Sequence, residues 1–386
     1  MLPIILRSAF SGALFMKSSS GQYFRSLDHV RAIAAFLVFA WHFNHARGGE
    51  YDPPLGIGWS FLTEGHTGVA IFMTLSGYLF AKLLDGKTVR LASFLWNRLL
   101  RLGPLLAVVI LLVAVENLVR GTLGLDYLGR ILRGLIQPTL PNGGWSITVE
   151  AHFYILLPLL MGLAARDPRA LLWALGGAIA LRVLLYFWLG QVQDLAYWTI
   201  VGRIDQFLCG ILAFHMRHLI AGRPGLALAV TVGFALLWWW FDRGGGFYGR
   251  EDYPSATPWW IVLPAFEGAA YGWLIAWYDA WYERRQATRP DRPYSRFSDF
   301  VALAGTWSYS IYLLHPFVVF RLGRAIDAYL IPLADRPYLT LLLSIPAFLL
   351  MMPIAGLSYR LIELPPMRLR RRYLTPQAPA LARAAM

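Results

Sequence analysis

Long apolar runs separated by short polar segments recur from one end of this chain to the other. A helix that crosses a bilayer needs about 20 consecutive, predominantly apolar residues, and ten stretches approach that length. They lie at 27–46, 68–84, 103–119, 146–163, 169–189, 195–217, 224–241, 259–280, 303–322 and 339–362. The pattern predicts an all-α, polytopic membrane helical bundle of about ten transmembrane helices.

The composition supports this class. Hydrophobic residues make up 57% of the 386 residues and charged residues only 15%, whereas a soluble domain carries about 25% charged residues. We therefore predict one transmembrane domain over residues 25–372. Residues 1–24 are predicted to be a flexible cytoplasmic lead, and residues 373–386, rich in Ala and Pro, a disordered cytoplasmic tail.

The positive charge of the chain is unevenly distributed. If the amino terminus is cytoplasmic and all ten spans are real, the cytoplasmic segments carry 22 of the 35 Lys and Arg residues, and the opposite segments carry nine. This excess is the positive-inside pattern of membrane proteins. We therefore attribute the net charge of +13 to the orientation of the chain in the membrane, and we do not expect nucleic-acid binding.

The first apolar run contains two polar side chains that point in one direction. Arg31 and His42 are separated by ten residues without a polar side chain. Eleven helical residues bring His42 to within about 20° of Arg31, about 16 Å further along the axis. Ionisable groups at membrane depth are costly and usually functional. We expect both side chains to face one shared cavity, although an interfacial Arg and a structural His remain an alternative.

The neighbours of this pair suggest separate roles for its members. Asp28 lies three residues before Arg31, a spacing at which the two side chains can pair. His42 lies far from that charge, in apolar surroundings that favour the neutral imidazole. A neutral imidazole is what a general base requires.

Two further polar groups lie in apolar runs. Ser76 belongs to the stretch 68–78, whose glycines equally predict close helix packing. Glu150 and Tyr154 follow Ser146, which could cap a helix whose first turns favour a carboxylate. Alternatively, Glu150 is a site carboxylate that orients an imidazole or an acceptor hydroxyl.

Each of the remaining candidate site residues could have either a structural or a functional role. Arg203 and Asp205 could form an intrahelical polar patch. His315 precedes a proline and could bond to the backbone carbonyls that the proline leaves free. Arg98 and Arg101, at a predicted cytoplasmic helix start, are either orientation charges or a phosphate clamp. Cys209 is the only cysteine, so no internal disulfide is possible.

Together and in this order, the motifs resemble those of the family-three integral-membrane acyltransferases, which O-acylate surface glycans, lipid-linked sugars and some secondary metabolites. The resemblance covers residues 22–372. It rests on Leu27-Asp28-x-x-Arg31-Ala32-x-Ala34 with His42, on Ser76-Gly77-Tyr78, on Trp145-Ser146-x-x-x-Glu150-x-x-Phe153-Tyr154, on Arg203-x-Asp205 with Gly210, on Ser308-Tyr309-Ser310-x-Tyr312-Leu313-x-His315, and on Tyr359-Arg360-x-x-Glu363-x-Pro365. Two positions that are often acidic in the family are Ala70 and Ala151 here.

The resemblance implies an acyl-CoA-dependent O-acyltransferase in the cell inner membrane. Its donor would be acyl-CoA, most often acetyl-CoA, as a co-substrate, with no bound cofactor or metal, and its acceptor would be a sugar or polyketide hydroxyl. Arg31, Arg98 and Arg101 would bind the donor, and the donor's thiol arm would extend to His42. His42, Glu150 and Asp28 would form the catalytic group. Supporting roles would fall to Ser76, Tyr154, Arg203, Asp205, Tyr309 and His315.

Several alternatives stay open at this level. A transporter or flippase for a glycolipid or small solute would also use buried charges near the midplane, and matching broken helices in repeated halves would favour it. A different membrane acyltransferase fold with an intramembrane His would share the chemistry. Acyl transfer could be direct or pass through an acyl-histidine. Neither the acceptor nor the oligomeric state follows from the sequence.

Overall fold

The structure, a computed structural model, describes residues 22–46, 56–248, 253–289 and 293–376. Within these residues it contains fourteen α-helices. They are α1 (Arg25–His45), α2 (Ser60–Thr63), α3 (Thr67–Leu84), α4 (Leu91–Val119), α5 (Leu125–Arg133), α6 (Trp145–Arg166), α7 (Ala170–Leu189), α8 (Gln193–Trp198), α9 (Ile200–His215), α10 (Pro224–Arg243), α11 (Trp259–Thr288), α12 (Arg296–Thr306), α13 (Ser308–Tyr329) and α14 (Pro337–Ser358). The predicted helical class is confirmed.

Six helices in the described part of the chain are long and apolar enough to cross a membrane: α3, α4, α6, α7, α10, and α14 with the π-helical turn that follows it. The chain thus has the architecture of a polytopic helical membrane protein. Each of the ten predicted runs contains helix, but the run at 195–217 is divided between α8 and α9, and the run at 303–322 between α12 and α13. The number of ten spans and the cytoplasmic amino terminus stay predictions.

Residues 374–376, at the start of the predicted disordered tail, form a strand. Strand β1 (Lys87–Val89) pairs antiparallel with strand β2 (Leu374–Pro376). The Asn97 side chain extends this contact, since its Nδ2 donates to the Arg371 carbonyl at 2.7 Å and its Oδ1 accepts from the Arg371 amide at 2.8 Å. Residues 374–376 are therefore part of the fold. Residues 1–21 of the predicted lead and 377–386 of the tail lie outside the described residues.

Glycines allow α3 and α9 to approach closely at the centre of the bundle. A Cβ atom on Gly210 would lie 2.0 Å from the Thr74 carbonyl oxygen, and one on Gly77 would lie 2.2 Å from the Phe207 carbonyl oxygen. Both positions therefore require the absence of a side chain. The packing role predicted for the glycines around Ser76 is confirmed.

We expect Gly210→Ala to lower the free energy of unfolding by about 1–3 kcal/mol, the usual cost of overpacking a dense core. Either α3 must move away from α9 or the new methyl group must overlap the Thr74 carbonyl. Gly176→Ala is the matched control, because a Cβ at that helical position meets no atom within 4 Å. Thermal unfolding of the detergent-solubilised protein measures both, and equal stability of the two variants would contradict the close contact.

The segment between α4 and α6 folds back along the bundle instead of leaving it. The Tyr127 hydroxyl donates to the Ile110 carbonyl, and the Thr148 hydroxyl donates to the Gly134 carbonyl, each at 2.6 Å. Gly144 lies against Leu106, near the middle of α4. Helix α6 therefore begins at mid-bundle depth, which carries Glu150 into the interior.

Candidate active site

One cavity of about 250 Å³ extends inward from the end of the bundle at which α1 begins, called here the N face. Four arginines and two carboxylates are the charged residues among the described residues that line it, so we call it the arginine cavity. They are Arg31, Arg98, Arg101, Arg370, Asp28 and Glu150. Tyrosines supply much of its remaining wall: Tyr23, Tyr309, Tyr312, Tyr359 and Tyr373.

The side chains of Asp28 and Arg31 form the ion pair that their spacing predicts. Arg31 Nη1 donates to Asp28 Oδ1 at 2.5 Å. Asp28 is buried, and α12 presses on its backbone, since a Cβ atom on Gly305 would lie 1.8 Å from the Asp28 carbonyl oxygen. This contact fixes Asp28, and Asp28 in turn orients the Arg31 guanidinium at the cavity wall.

Glu150 forms a small polar cluster with two of the other predicted residues. The Tyr154 hydroxyl donates to Glu150 Oε1, and the Ser76 hydroxyl donates to the same oxygen at 3.4 Å. The Arg98 guanidinium lies over the ring of Phe80, another residue of the cavity wall, 5.4 Å from its centroid. Among the described residues, the hydrogen bonds of Glu150 go to Tyr154 and Ser76 and not to His42. Of the two functional alternatives, this arrangement favours an acceptor hydroxyl over the His42 imidazole as the group that Glu150 would orient.

Arg101 lines the cavity but is already bound to a carboxylate that sequence reasoning did not select. Its Nη1 lies 3.1 Å from Glu363 Oε2, and Ser310 donates to the other oxygen of Glu363. Glu363 is fully buried. The signal that could have identified it is the Tyr359-Arg360-x-x-Glu363 motif, where the carboxylate ends an apolar run. Arg101 is therefore a less available phosphate ligand than expected.

Arg370 is a further cationic group at the mouth of the arginine cavity that the sequence did not single out. Burial, together with repulsion by the nearby charges of Arg101 and Arg98, lowers the pKa of its guanidinium. With four arginines and two carboxylates in its wall, the cavity carries an excess of positive charge. Such a cavity attracts a polyanionic ligand.

His42 presents one ring nitrogen that is free to accept a proton. Its Nδ1 lies 2.9 Å from the Val38 carbonyl oxygen, which can only accept, so Nδ1–H is the donor and Nε2 carries the lone pair of the neutral ring. The ring packs edge-on against Trp41, with 4.6 Å between the centroids. This tautomer is the one that a general base needs.

His315 lies beside His42, with 4.6 Å between the ring centroids. Its Nδ1 lies 2.7 Å from the Tyr312 carbonyl oxygen and 3.2 Å from that of Ile311, so the predicted bonding to backbone carbonyls before Pro316 is confirmed. Its Nε2 is buried and has no hydrogen-bond partner among the described residues. The two imidazoles thus form a pair, called here the histidine pair, in which His315 is buried and His42 is partly exposed.

The expectation that Arg31 and His42 face one shared cavity is wrong. Arg31 lines the arginine cavity, whereas His42 is not among its lining residues. Tyr312 lines the cavity and lies 6.1 Å from His315, centroid to centroid, so α13 places Tyr312 and His315 between the cavity and His42. Helical periodicity fixes the direction of a side chain on α1, but it does not say which neighbouring helix fills the space in front of it.

A second cavity, of about 480 Å³, lies beyond the histidine pair, towards the opposite face of the bundle. We call it the vestibule. Its wall includes Phe320, whose ring centroid is 6.3 Å from that of His42, and His45, one turn further along α1. Its other charged or polar lining residues are Glu116, Arg120, Asn142, Arg321 and Arg324. The histidine pair therefore lies between two cavities that approach from opposite faces.

The structure places Arg203 and Asp205 away from both cavities. Asp205 is bound by Arg182 of α7, whose Nη1 donates to it at 3.1 Å. Arg203 Nε donates to the Tyr197 carbonyl at 2.7 Å, and its Nη1 lies 4.0 Å from Glu267. Both residues hold α9 to its neighbours, and the supporting site role that the motif implied is not seen.

Tyr309 is the last of the predicted supporting residues. The Tyr309 hydroxyl lines the arginine cavity and donates to the Leu102 carbonyl at 2.6 Å, which ties α13 to α4. Among the described residues, no group of three or more His, Cys, Asp or Glu side chains is arranged to hold a metal ion.

Comparison with known proteins gives one family match. A family model described as an acyltransferase domain matches residues 24–360. Similar curated proteins, each named "Putative O-acetyltransferase", come from Staphylococcus aureus strains COL, MSSA476 and MRSA252. Each is 26% identical over 174 residues, which cover 38% of this chain and 26% of the relative. The matched part thus spans about a quarter of the length of these relatives. No solved structure matches this one.

Proposed function

This chain belongs to the family-three membrane acyltransferases, and from that premise we propose that it moves an acetyl group from cytoplasmic acetyl-CoA to a hydroxyl of a cell-envelope glycan, lipid-linked sugar or secondary metabolite. The observation that carries the proposal is the position of the histidine pair, between an arginine-lined cavity at one face and a vestibule towards the other. Donor and acceptor can then approach one base from opposite sides.

The donor would enter the arginine cavity from the N face, which the positive-inside pattern assigns to the cytoplasm. Arginine binds phosphate through paired N–H groups, so Arg98 and Arg370 at the mouth suit the phosphates of CoA. A cavity of about 250 Å³ fits the slender thiol arm and leaves the nucleotide at the mouth. The arm would extend past Arg31 and Ser76 to Tyr312, where the thioester meets the histidine pair.

His42 would act as the general base. Its Nε2 takes the proton of an acceptor hydroxyl that enters through the vestibule, and the hydroxyl oxygen attacks the thioester carbonyl. The new C–O bond forms as the C–S bond breaks, and the proton passes from His42 to the departing thiolate. The products are the acetyl ester and CoA, and His42 returns to its neutral form.

The test uses proteoliposomes that hold the full chain, with labelled acetyl-CoA supplied on one side and candidate acceptors on the other. We expect label to appear in the acceptor and free thiol to appear on the donor side, both dependent on His42. Movement of an acceptor across the membrane without any thiol release would instead indicate a transporter and contradict the proposal.

Arg98→Gln should raise the KM for acetyl-CoA by about tenfold or more and change kcat less, because it removes a charge-assisted phosphate contact and leaves the histidine pair intact. The measurement is thiol release at varied acetyl-CoA. Arg90→Gln is the matched control, since Arg90 is exposed near the same helix start and does not line the cavity. An unchanged KM in the Arg98 variant would place the donor phosphates elsewhere.

A further inference from the structure

An apolar groove of about 760 Å³ runs down the side of the bundle between α4, α13 and α14. On α4 it is lined by Val108, Leu112, Val115 and Val119, at spacings of four, three and four residues, which place all four on one helical face. The span from the first to the last is about 16 Å along the axis, close to half of the ~30 Å hydrocarbon thickness of a bilayer. Its length therefore corresponds to one leaflet.

The groove ends at the charged wall of the vestibule. Glu116, Arg120, Phe317 and Arg321 line both cavities, so an apolar channel and a cationic chamber share one boundary. The two arginines both bond to Glu116, at 2.7 Å from Arg120 and 3.0 Å from Arg321. One carboxylate cannot neutralise two guanidinium groups, so this boundary keeps a net positive charge.

An apolar groove that leads into a cationic cavity fits a ligand with a hydrocarbon chain at one end and an anionic group at the other. We propose that the groove and vestibule bind the acceptor as a lipid-linked sugar, with its hydrocarbon chain along α4, its phosphate or pyrophosphate on Arg120 and Arg321, and its sugar in the vestibule beside the histidine pair. Charge complementarity favours this occupant, because a neutral lipid offers no anionic group to the net positive charge of the boundary. This inference rests on the proposed function only in naming the bound lipid as the acceptor.

The geometry also explains how the sugar would reach the base. Phe317 and Phe320 lie on consecutive turns of α13, the first on the groove and the second 6.3 Å from the His42 ring. A phosphate held at Arg321, one residue beyond Phe320, leaves the attached sugar within the vestibule. The hydrocarbon anchor therefore delivers a hydroxyl to His42 without the whole lipid entering the bundle.

The test measures binding of undecaprenyl phosphate to the purified full chain by native mass spectrometry. Undecaprenol tests the need for the phosphate, and phosphatidylglycerol tests whether any anionic bilayer lipid suffices. We expect undecaprenyl phosphate to bind about tenfold more tightly than either, since it alone offers one long chain and a phosphate monoester to the paired arginines. Equal binding of undecaprenol or of phosphatidylglycerol would overturn the inference.

Substitutions locate the site. Arg120→Gln with Arg321→Gln, and separately Val115→Trp to fill the groove, should each weaken binding of undecaprenyl phosphate by about tenfold. The matched controls are Arg133→Gln, an exposed arginine outside the two cavities, and Leu184→Trp, an exposed residue on α7. Controls that weaken binding as much as the site variants would contradict the location.

The two proposals fail in different ways. If undecaprenyl phosphate does not bind selectively while His42-dependent thiol release continues with a free sugar acceptor, only the lipid site is refuted. If the lipid binds as expected but no acceptor, linked or free, supports His42-dependent transfer, the lipid site stands and the acyl-transfer reaction proposed above is refuted.

Discussion

His42→Ala is expected to lower the rate of acyl transfer by about 10²- to 10⁴-fold, the usual contribution of a positioned general base. The structure gives the reason, because Nδ1 is held by the Val38 carbonyl and Nε2 is left to accept the acceptor proton. The measurement is thiol release from acetyl-CoA by the purified protein in the presence of an acceptor. The KM for acetyl-CoA should change little, since the ring does not line the arginine cavity.

Two further variants show whether His42→Ala is inactive because it lacks the basic nitrogen or because the protein misfolds. His42→Asn keeps an N–H group near the position of Nδ1 and so retains the bond to the Val38 carbonyl, but it offers no basic nitrogen, and it should be as inactive as His42→Ala. His218→Ala replaces an exposed histidine outside the site and should be fully active. Normal turnover by either His42 variant would show that another group removes the proton.

Periodicity can predict those parts of the site that depend on a single helix. The pairing of Asp28 with Arg31 needs only a three-residue spacing on α1, and it is present at 2.5 Å. The contact between Glu150 and Tyr154 also depends on a four-residue spacing within one helix, α6, although it was not predicted from the sequence. Within one helix, the 3.6-residue repeat fixes which side chains are neighbours.

Relations between helices could not be read in this way. The sequence pattern placed Arg31 and His42 in one cavity, but Tyr312 and His315 of α13 stand between them. Nothing in α1 indicates which helix packs in front of it, and the order of helices in a bundle is a tertiary property. The family motifs included Tyr312 and His315 of α13, but they did not indicate that these residues lie between Arg31 and His42.

The fold-back between α4 and α6 was missed for a related reason. Residues 120–145 lie between the predicted apolar runs 103–119 and 146–163 and so outside any predicted span. In the structure, Tyr127 nevertheless bonds to Ile110 of α4, and Thr148 of α6 bonds to Gly134. Irregular backbone is tolerated at membrane depth only where protein satisfies its polar groups. The positions of the apolar runs do not show how deep in the bundle the segment between them lies.

Arg182→Met is expected to cost about 3–5 kcal/mol of the free energy of unfolding, because it leaves the buried Asp205 carboxylate without its cation. Both side chains are fully buried, and the guanidinium also donates to the carbonyls of Ile261 at 2.8 Å and Val201 at 2.9 Å. The sequence suggested that Arg203 and Asp205 form a polar patch within one helix, and it indicated no partner for Asp205 on another helix. The structure shows that its partner is on α7 instead, so this pair joins two helices.

A double-mutant cycle tests that assignment. Adding Asp205→Asn to Arg182→Met removes the uncompensated charge and should recover a large part of the lost stability, while the lost bonds to the two backbone carbonyls keep the recovery incomplete. Arg169→Met, at an exposed position next to the start of the same helix, should leave thermal unfolding in detergent unchanged. If Asp205→Asn gave no recovery, the cost would lie in the carbonyl contacts and not in the charge, and the stabilising role of the ion pair would be refuted.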